Sequence, residues 1–387
     1  MEHLINKRVK EIELSGIRTF YNMVSQYQDV LSLTIGQPDF LTPQHVKEAA
    51  KSAIDGNQTS YTHNAGTIEL REAAAQFVKE KYDLHYNPAD EVIVTIGASQ
   101  AIDIALRTIL EEDSEVILPG PVYPGYEPLI RLNGAKPVHI DTTATGFRLT
   151  ADLIQQHLTS KTRCVILPYP SNPTGVTLSQ QELEEIAALL SDKNIFVLSD
   201  EIYSELVFDK KHQSIASISS MREKTIVING VSKSHSMTGW RIGLLFAPSY
   251  LAKHILKVHQ YNVSCASSVS QAAALEALTA GKNDAVDMKK EYEQRLNYVY
   301  DRLVNMGFDV EKPTGAFYIF PSIQNFHSNS FDFALELVKE AGVALVPGSA
   351  FSSHGEGYVR LSYAYSMNTL REACDRIEAY LTSRQSR

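Results

Sequence analysis

This sequence has no cationic excess. Its 387 residues carry 36 Lys and Arg against 45 Asp and Glu, a formal charge of −9. Neutralising phosphates takes clustered Lys and Arg, so no nucleic-acid partner is expected. Cysteine is scarce: Cys164, Cys265 and Cys374 are scattered and odd in number, which implies no disulfide framework. Cys164 lies in the apolar run "RCVILP" and reads as a packed core thiol. No stretch approaches the roughly 18 apolar residues of a membrane-spanning helix. The opening "MEHLINKRVKEIELSG" lacks the apolar centre of a signal peptide, so a reducing cytoplasm is the expected location. Repeats, low-complexity tracts and Gly/Ser linkers are also missing. No Gly-x-Gly-x-x-Gly follows any expected strand, which weighs against a nicotinamide dehydrogenase.

At 44% hydrophobic and 21% charged, the chain is that of an ordinary globular protein long enough for two domains. From about residue 90 it alternates strand and helix. "EVIVTIG" is a β-branched run, and "SQAIDIALRTILEE" after it repeats apolar residues at helical spacing, with Ser99 placed to cap the helix. "SEVILPG", "KPVHID", "TRCVILPYP", "NIFVLSDE", "KTIVING" and "IGLLFAP" are further short runs. Several lack inside–outside alternation, as strands buried on both faces of a parallel sheet do. The expected architecture is α/β: a three-layer large domain with a mainly parallel sheet over residues 45–285. A smaller α+β domain would combine residues 1–44 with 286–387, and the first forty or so residues would pack there or on another subunit.

Ligands in such sheets bind beyond the carboxyl ends of the strands, and those ends carry an unusual set of residues. Ala98 and Ser99 follow "VIVTIG" at a helix start, where free amides suit a phosphate. "SNPTG" after the next run holds Asn172, "DEIY" holds Asp200 and Tyr203, and "GVSK" holds Ser232 and Lys233. Alone, each has a plain structural reading as a cap, a turn residue, a packing phenol or a solvated cation. Together, on parallel strands, they bring amide, carboxylate, phenol and amine to one rim. Burial and the nearby cation Arg241 would disfavour the charged form of Lys233, and a neutral amine forms a Schiff base with an aldehyde. The aldehyde cofactor whose parts this set matches is pyridoxal 5'-phosphate. Asp200 would face its ring nitrogen, Asn172 and Tyr203 its hydroxyl, Tyr123 its ring face, and Arg241, Ser99 and Ser232 its phosphate.

"SNPTG", "LSDEIY", "SKSHSMTGWRIG" and "YVRLSYA", in this order, resemble the class I/II aminotransferases of the fold type I pyridoxal-phosphate enzymes, over nearly the whole chain. The resemblance implies that Lys233 carries the cofactor, Asp200 pairs with its ring nitrogen and Arg241 binds phosphate. It implies that Tyr61 reaches the phosphate of a neighbouring subunit, hence a homodimer with shared sites. It assigns the substrate α-carboxylate to Arg360, aided by Gly36 and Asn172. One departure stands out: many relatives carry a hydroxyl three residues before the lysine, where this chain has Gly230.

The expected reaction moves an amino group from an L-amino acid to a 2-oxo acid, 2-oxoglutarate being the family's usual acceptor. Freed Lys233 would act as general base at the substrate Cα. Within the family the wording is most similar to the branch that acts on acetylated diaminopimelate, with aspartate, aromatic and kynurenine transaminases as near relatives. For the substrate side chain, Ile17 and Tyr21 are candidates against a reading as interface packing. His235 is expected to be structural. The nearest rival is a C–S β-lyase of the same fold. A regulator with an aminotransferase-like domain would need more than the 35 or so residues that precede "LTIGQPDF".

Overall fold

The computed structural model describes residues 1–385. After a two-residue strand β1 (Leu31–Ser32), the central sheet takes up β2 (Val92–Thr95), β3 (Glu115–Gly120), β4 (Lys136–Asp141), β5 (Thr162–Leu167), β6 (Phe196–Asp200), β7 (Thr225–Gly230) and β8 (Gly243–Phe246). These are the seven expected strands, in the order β2-β8-β7-β6-β5-β3-β4. Neighbours from β7 through β4 pair in parallel, and β8 alone runs antiparallel to both of its neighbours. The central strands are buried on both faces, which is why their apolar residues do not alternate. On one face, helix Gly97–Ile109 packs Ile102 and Ala105 with Ile166, Leu198, Ile226 and Leu245. On the other, helix Gln180–Leu190 packs Leu183 and Ile186 with Val165 and Val197. That second helix starts in a capping box: Ser179 accepts from the Glu182 amide while the Glu182 side chain accepts from the Ser179 amide.

The cap expected from Ser99 is absent. Helix Gly97–Ile109 begins three residues before the start such a cap implies, and Ile96 holds the cap position without a side-chain bond. Gly97 makes this possible: its φ of +76° turns the chain directly from strand into helix, a conformation that L side chains resist. Ser99 instead lies inside the first turn, with its hydroxyl bonded to Tyr123.

A second core gathers Tyr292, Leu296 and Val299 of helix Ala285–Asn305, Ile377 of helix Met367–Gln385, and Leu361. Its strands are β9 (Tyr318–Ile319), β10 (Val343–Ala344), β11 (Val346–Pro347) and β12 (Val359–Ser362), with β12 between β11 and β9. The N-terminal segment joins this core: β1 pairs in parallel with β10, and helix Gly16–Val24 buries Phe20 and Val24 against Ala334, Val338 and Ala344. Of the two placements open to the first forty residues, the contact with the C-terminal part is the one seen. The segment "FDFALELVKEAG", expected as one helix, is α-helical over Ser330–Glu336 and widens into a π turn over Leu337–Ala341, ending at Gly342 with φ +63°. Among the described residues, no helix is long and apolar enough to cross a membrane.

Candidate active site

β2, β5, β6 and β7 run in the same direction, so their carboxyl ends share one rim. A cleft of about 600 Å3 opens there. Ala98, Ser99, Tyr123, Asn172, Asp200, Tyr203, Ser232, Lys233 and Arg241 line its sheet side, and Gly36 and Arg360 close it from the second core. Of the residues expected at the site, Tyr61 alone lies elsewhere; it is 90% exposed.

Lys233 sits one turn past the end of β7, partly buried in the cleft wall, and its Nζ donates to the Gly36 carbonyl at 2.8 Å. Burial lowers its pKa to about 8, and the cations Arg241 and Arg360 push the same way against the opposing pull of Asp200. About a tenth of the amine is then neutral at pH 7, against well under a thousandth for an ordinary lysine. Asp200, buried at the end of β6, is raised to about 6 by desolvation. Two donors hold that rise in check: the Tyr126 hydroxyl at 2.7 Å to Oδ2 and the Ile202 amide at 3.2 Å to Oδ1.

Arg360 arrives on β12 and is 1% exposed. Its Nη1 donates to Asn172 Oδ1 at 2.8 Å and its Nη2 to the Thr34 carbonyl at 2.6 Å. Its Nε has no partner among the described residues, and its guanidinium lies 4.4 Å from the centre of the Tyr318 ring. Tyr318 also shares a hydroxyl–hydroxyl bond of 2.8 Å with Tyr203. Gly36 is glycine for want of room, because a Cβ there would run into the Tyr318 hydroxyl.

Arg241, itself at φ +55°, donates from Nη1 to the Thr238 carbonyl at 3.0 Å and lays its guanidinium against the helix start at Gly97, where a Cβ would collide with it. Gly230, the departure noted in the sequence, is also sterically fixed: a Cβ would come within 2.9 Å of the Ile242 carbonyl and 3.1 Å of Ile202 Cδ1. Ile17 and Tyr21 do line the cleft, and Ile17 packs against the core as well. His235 is buried away from it, bonded to Ser234 Oγ at 2.7 Å and the Gly281 carbonyl at 2.9 Å.

Among the wall residues that sequence alone does not single out are Tyr126, Tyr318 and Arg18. Tyr126 stands three positions after Tyr123 and opens helix Tyr126–Leu132, so that spacing was a usable signal. Tyr318 reads simply as one aromatic among several in "GAFYIF", and Arg18 as a surface cation.

Fold and cleft together define an α/β protein whose cleft sets Arg241 and Arg360 beside a partly desolvated amine. Residues 28–377 match the family "Aminotransferase class I and II", and the chain belongs to it. It is thus a transaminase, of a family whose members use pyridoxal phosphate and act on amino and 2-oxo acids. The chain is 66% identical to the probable N-acetyl-LL-diaminopimelate aminotransferase of Bacillus subtilis, covering 100% of this chain and 98% of that one. It is 41% identical to aromatic-amino-acid aminotransferase 2 of Thermococcus litoralis, over 98% and 99% of the two chains. The solved structure of Pyrococcus protein-A1 superposes with a TM-score of 0.95 at 42% identity, covering 98% of each chain.

Proposed function

We propose that this cleft holds pyridoxal 5'-phosphate and moves an amino group from an L-amino acid to a 2-oxo acid, with 2-oxoglutarate as acceptor. The observation that carries the reading is Arg360, a fully buried guanidinium on the cleft wall with, among the described residues, no partner for its Nε and no carboxylate bonded to it. A buried cation in that state fits an incoming anion, and the planar fork suits a carboxylate. At the other end of the cleft, Arg241 and the first amides of helix Gly97–Ile109 meet in a cradle that fits a phosphate.

When bound, the cofactor supplies an aldehyde that links covalently to an amine and a ring that accepts an electron pair. Lys233 is the amine that would link to that aldehyde. When free, its Nζ would take the proton from the substrate Cα, a task suited to a base with pKa about 8. Asp200 would hold a proton on the ring nitrogen, with its carboxylate steadied by Tyr126. Asn172 and Tyr203 would face the ring hydroxyl, and Tyr123 would lie against the ring. Ala98, Ser99, Ser232 and Arg241 would hold the phosphate. Arg360, with Gly36 and Asn172, orients the α-carboxylate so that the Cα proton meets Lys233.

Tyr61, exposed and outside its own cleft, is free to reach the phosphate in a second copy, which supports a homodimer with shared sites. We place the domain boundaries near residues 45 and 285. The 66% identity to the Bacillus subtilis protein supports N-acetyl-LL-diaminopimelate as the amino compound, formed in a cytoplasmic role in lysine biosynthesis and serving as amino donor when the reversible reaction is run backwards. A donor panel including that compound, assayed with 2-oxoglutarate for glutamate formation, tests the proposal. Absence of glutamate with every donor would sink it, as would release of pyruvate and ammonia from cystathionine without an acceptor.

A further inference from the structure

Tyr318 touches both halves of this site. It belongs to β9, which pairs antiparallel with β12, and its cross-strand partner there is Ser362. Side chains alternate faces along a strand, so Arg360, two residues before Ser362, shares the face of Tyr318 as its diagonal neighbour. The ring centre comes within 4.4 Å of the Arg360 guanidinium, and Phe351 adds a second ring at 5.0 Å. Both terminal nitrogens of that guanidinium are tied as well, to Asn172 and to the Thr34 carbonyl. Two hydrogen bonds and two neighbouring rings fix its plane before any anion arrives.

The hydroxyl of Tyr318 makes a different contact. It meets the Tyr203 hydroxyl at 2.8 Å, with the two rings edge-on at 78°. Tyr203 follows β6, so this bond crosses from the second core to the central sheet, and both phenols are buried. Each phenol has one proton to give. With the Tyr203 proton donated to the cofactor, the Tyr318 proton is left to bridge the pair. A hydroxyl that accepts one hydrogen bond becomes a stronger donor in the next.

We propose that Tyr318 is a positioning residue with two separable actions. Its ring orients Arg360 for the substrate carboxylate, and its hydroxyl aligns and strengthens the Tyr203 hydroxyl at the cofactor's ring oxygen. This rests on the functional reading above and adds a residue to it.

Two substitutions in the cofactor-bound protein separate the actions. Tyr318→Phe removes the hydroxyl and keeps the ring. Tyr318→Leu removes both, with Tyr318→Met in its place should that variant not fold. Calorimetric titration with butyrate, an unreactive monocarboxylate, reads the first action. Tyr318→Phe should bind butyrate within about twofold of wild type, and Tyr318→Leu roughly 3- to 30-fold more weakly, as loss of a partly desolvated cation–π contact predicts. The second action is read by the pH at which visible absorbance changes, where the nitrogen joined to Lys233 gives up its proton. That loss leaves negative charge on the ring oxygen unbalanced, so donors there favour the deprotonated form. Both variants should therefore raise the midpoint, by roughly 0.3–0.6 of a pH unit. An unmoved midpoint in Tyr318→Phe, or wild-type butyrate affinity in Tyr318→Leu, overturns the proposal. The underlying reading fails differently: the wild type would show no visible band to titrate, or Arg360→Gln would bind butyrate as the wild type does.

Discussion

Arg360 and Asn172 meet at 2.8 Å although 188 residues separate them in the chain. One comes from β12 in the second core, the other from the turn after β5 in the central sheet. Lys233 repeats the pattern, donating from the sheet side to the carbonyl of Gly36 in the N-terminal segment. The cleft is thus assembled by packing, and no contiguous stretch contains it.

Arg360→Ala is expected to lower kcat/KM for the amino donor by about 100-fold or more, since two or three charge-assisted hydrogen bonds to a carboxylate are lost. The cofactor should stay bound, as Arg360 lies apart from the phosphate cradle. Visible absorbance of the purified variant checks the second half. A variant that purifies colourless and cannot be reconstituted would show that Arg360 holds the cofactor instead.

Lys233→Ala should reduce turnover by about four orders of magnitude, the upper range for a positioned general base, with the covalent link lost as well. Mixing with pyridoxal phosphate should then give the spectrum of the free aldehyde. Turnover within tenfold of wild type would remove Lys233 from the chemistry.

Tyr126→Phe bears on Asp200. A hydroxyl donated to a carboxylate favours its charged form, so loss of the bond should raise the Asp200 pKa above its present value of about 6, by roughly one unit. Because the folded pKa already exceeds the ordinary carboxylate value, the stability contributed by protonated Asp200 is fully present near pH 4 and lost as pH rises through 6. In the variant that loss should extend toward pH 7. Infrared titration of the carboxyl band in cofactor-free protein, identified by its absence in Asp200→Asn, reads the shift directly. An unmoved midpoint would detach Tyr126 from this role.

Gly230→Ser installs the hydroxyl that many relatives carry three residues before the lysine. Here the added Cβ meets the Ile242 carbonyl at 2.9 Å, and β7 cannot yield without disturbing its pairing with β8. The expected result is a loss of about 1–3 kcal/mol in stability with no gain in cofactor affinity. Urea unfolding and cofactor titration measure the two. Tighter cofactor binding at undiminished stability would show that the phosphate cradle lacks a donor.

The seven central strands were readable because each is a short apolar run fenced by turn residues, and parallel pairing turned their ends into a site. Lys233, Asp200 and Asn172 are visible in sequence because each directly follows such a run. Tyr318 and Arg18 are not, because nothing local distinguishes them; their place depends on how the second core closes over the rim. Gly97 shows the same limit at smaller scale. Its positive φ moved the helix start and displaced Ser99 from the cap that helix-start preferences alone assigned to it.

The N-terminal helix is fastened to the same core that presents β12, through Phe20, Val24 and the neighbourhood of β11. Ile17, Tyr21 and Arg360 therefore ride on one body, like the two jaws of a caliper locked at a set opening. Any swing of that body toward the sheet changes how near a bound molecule comes to Lys233, but not the spacing of those three side chains' backbones.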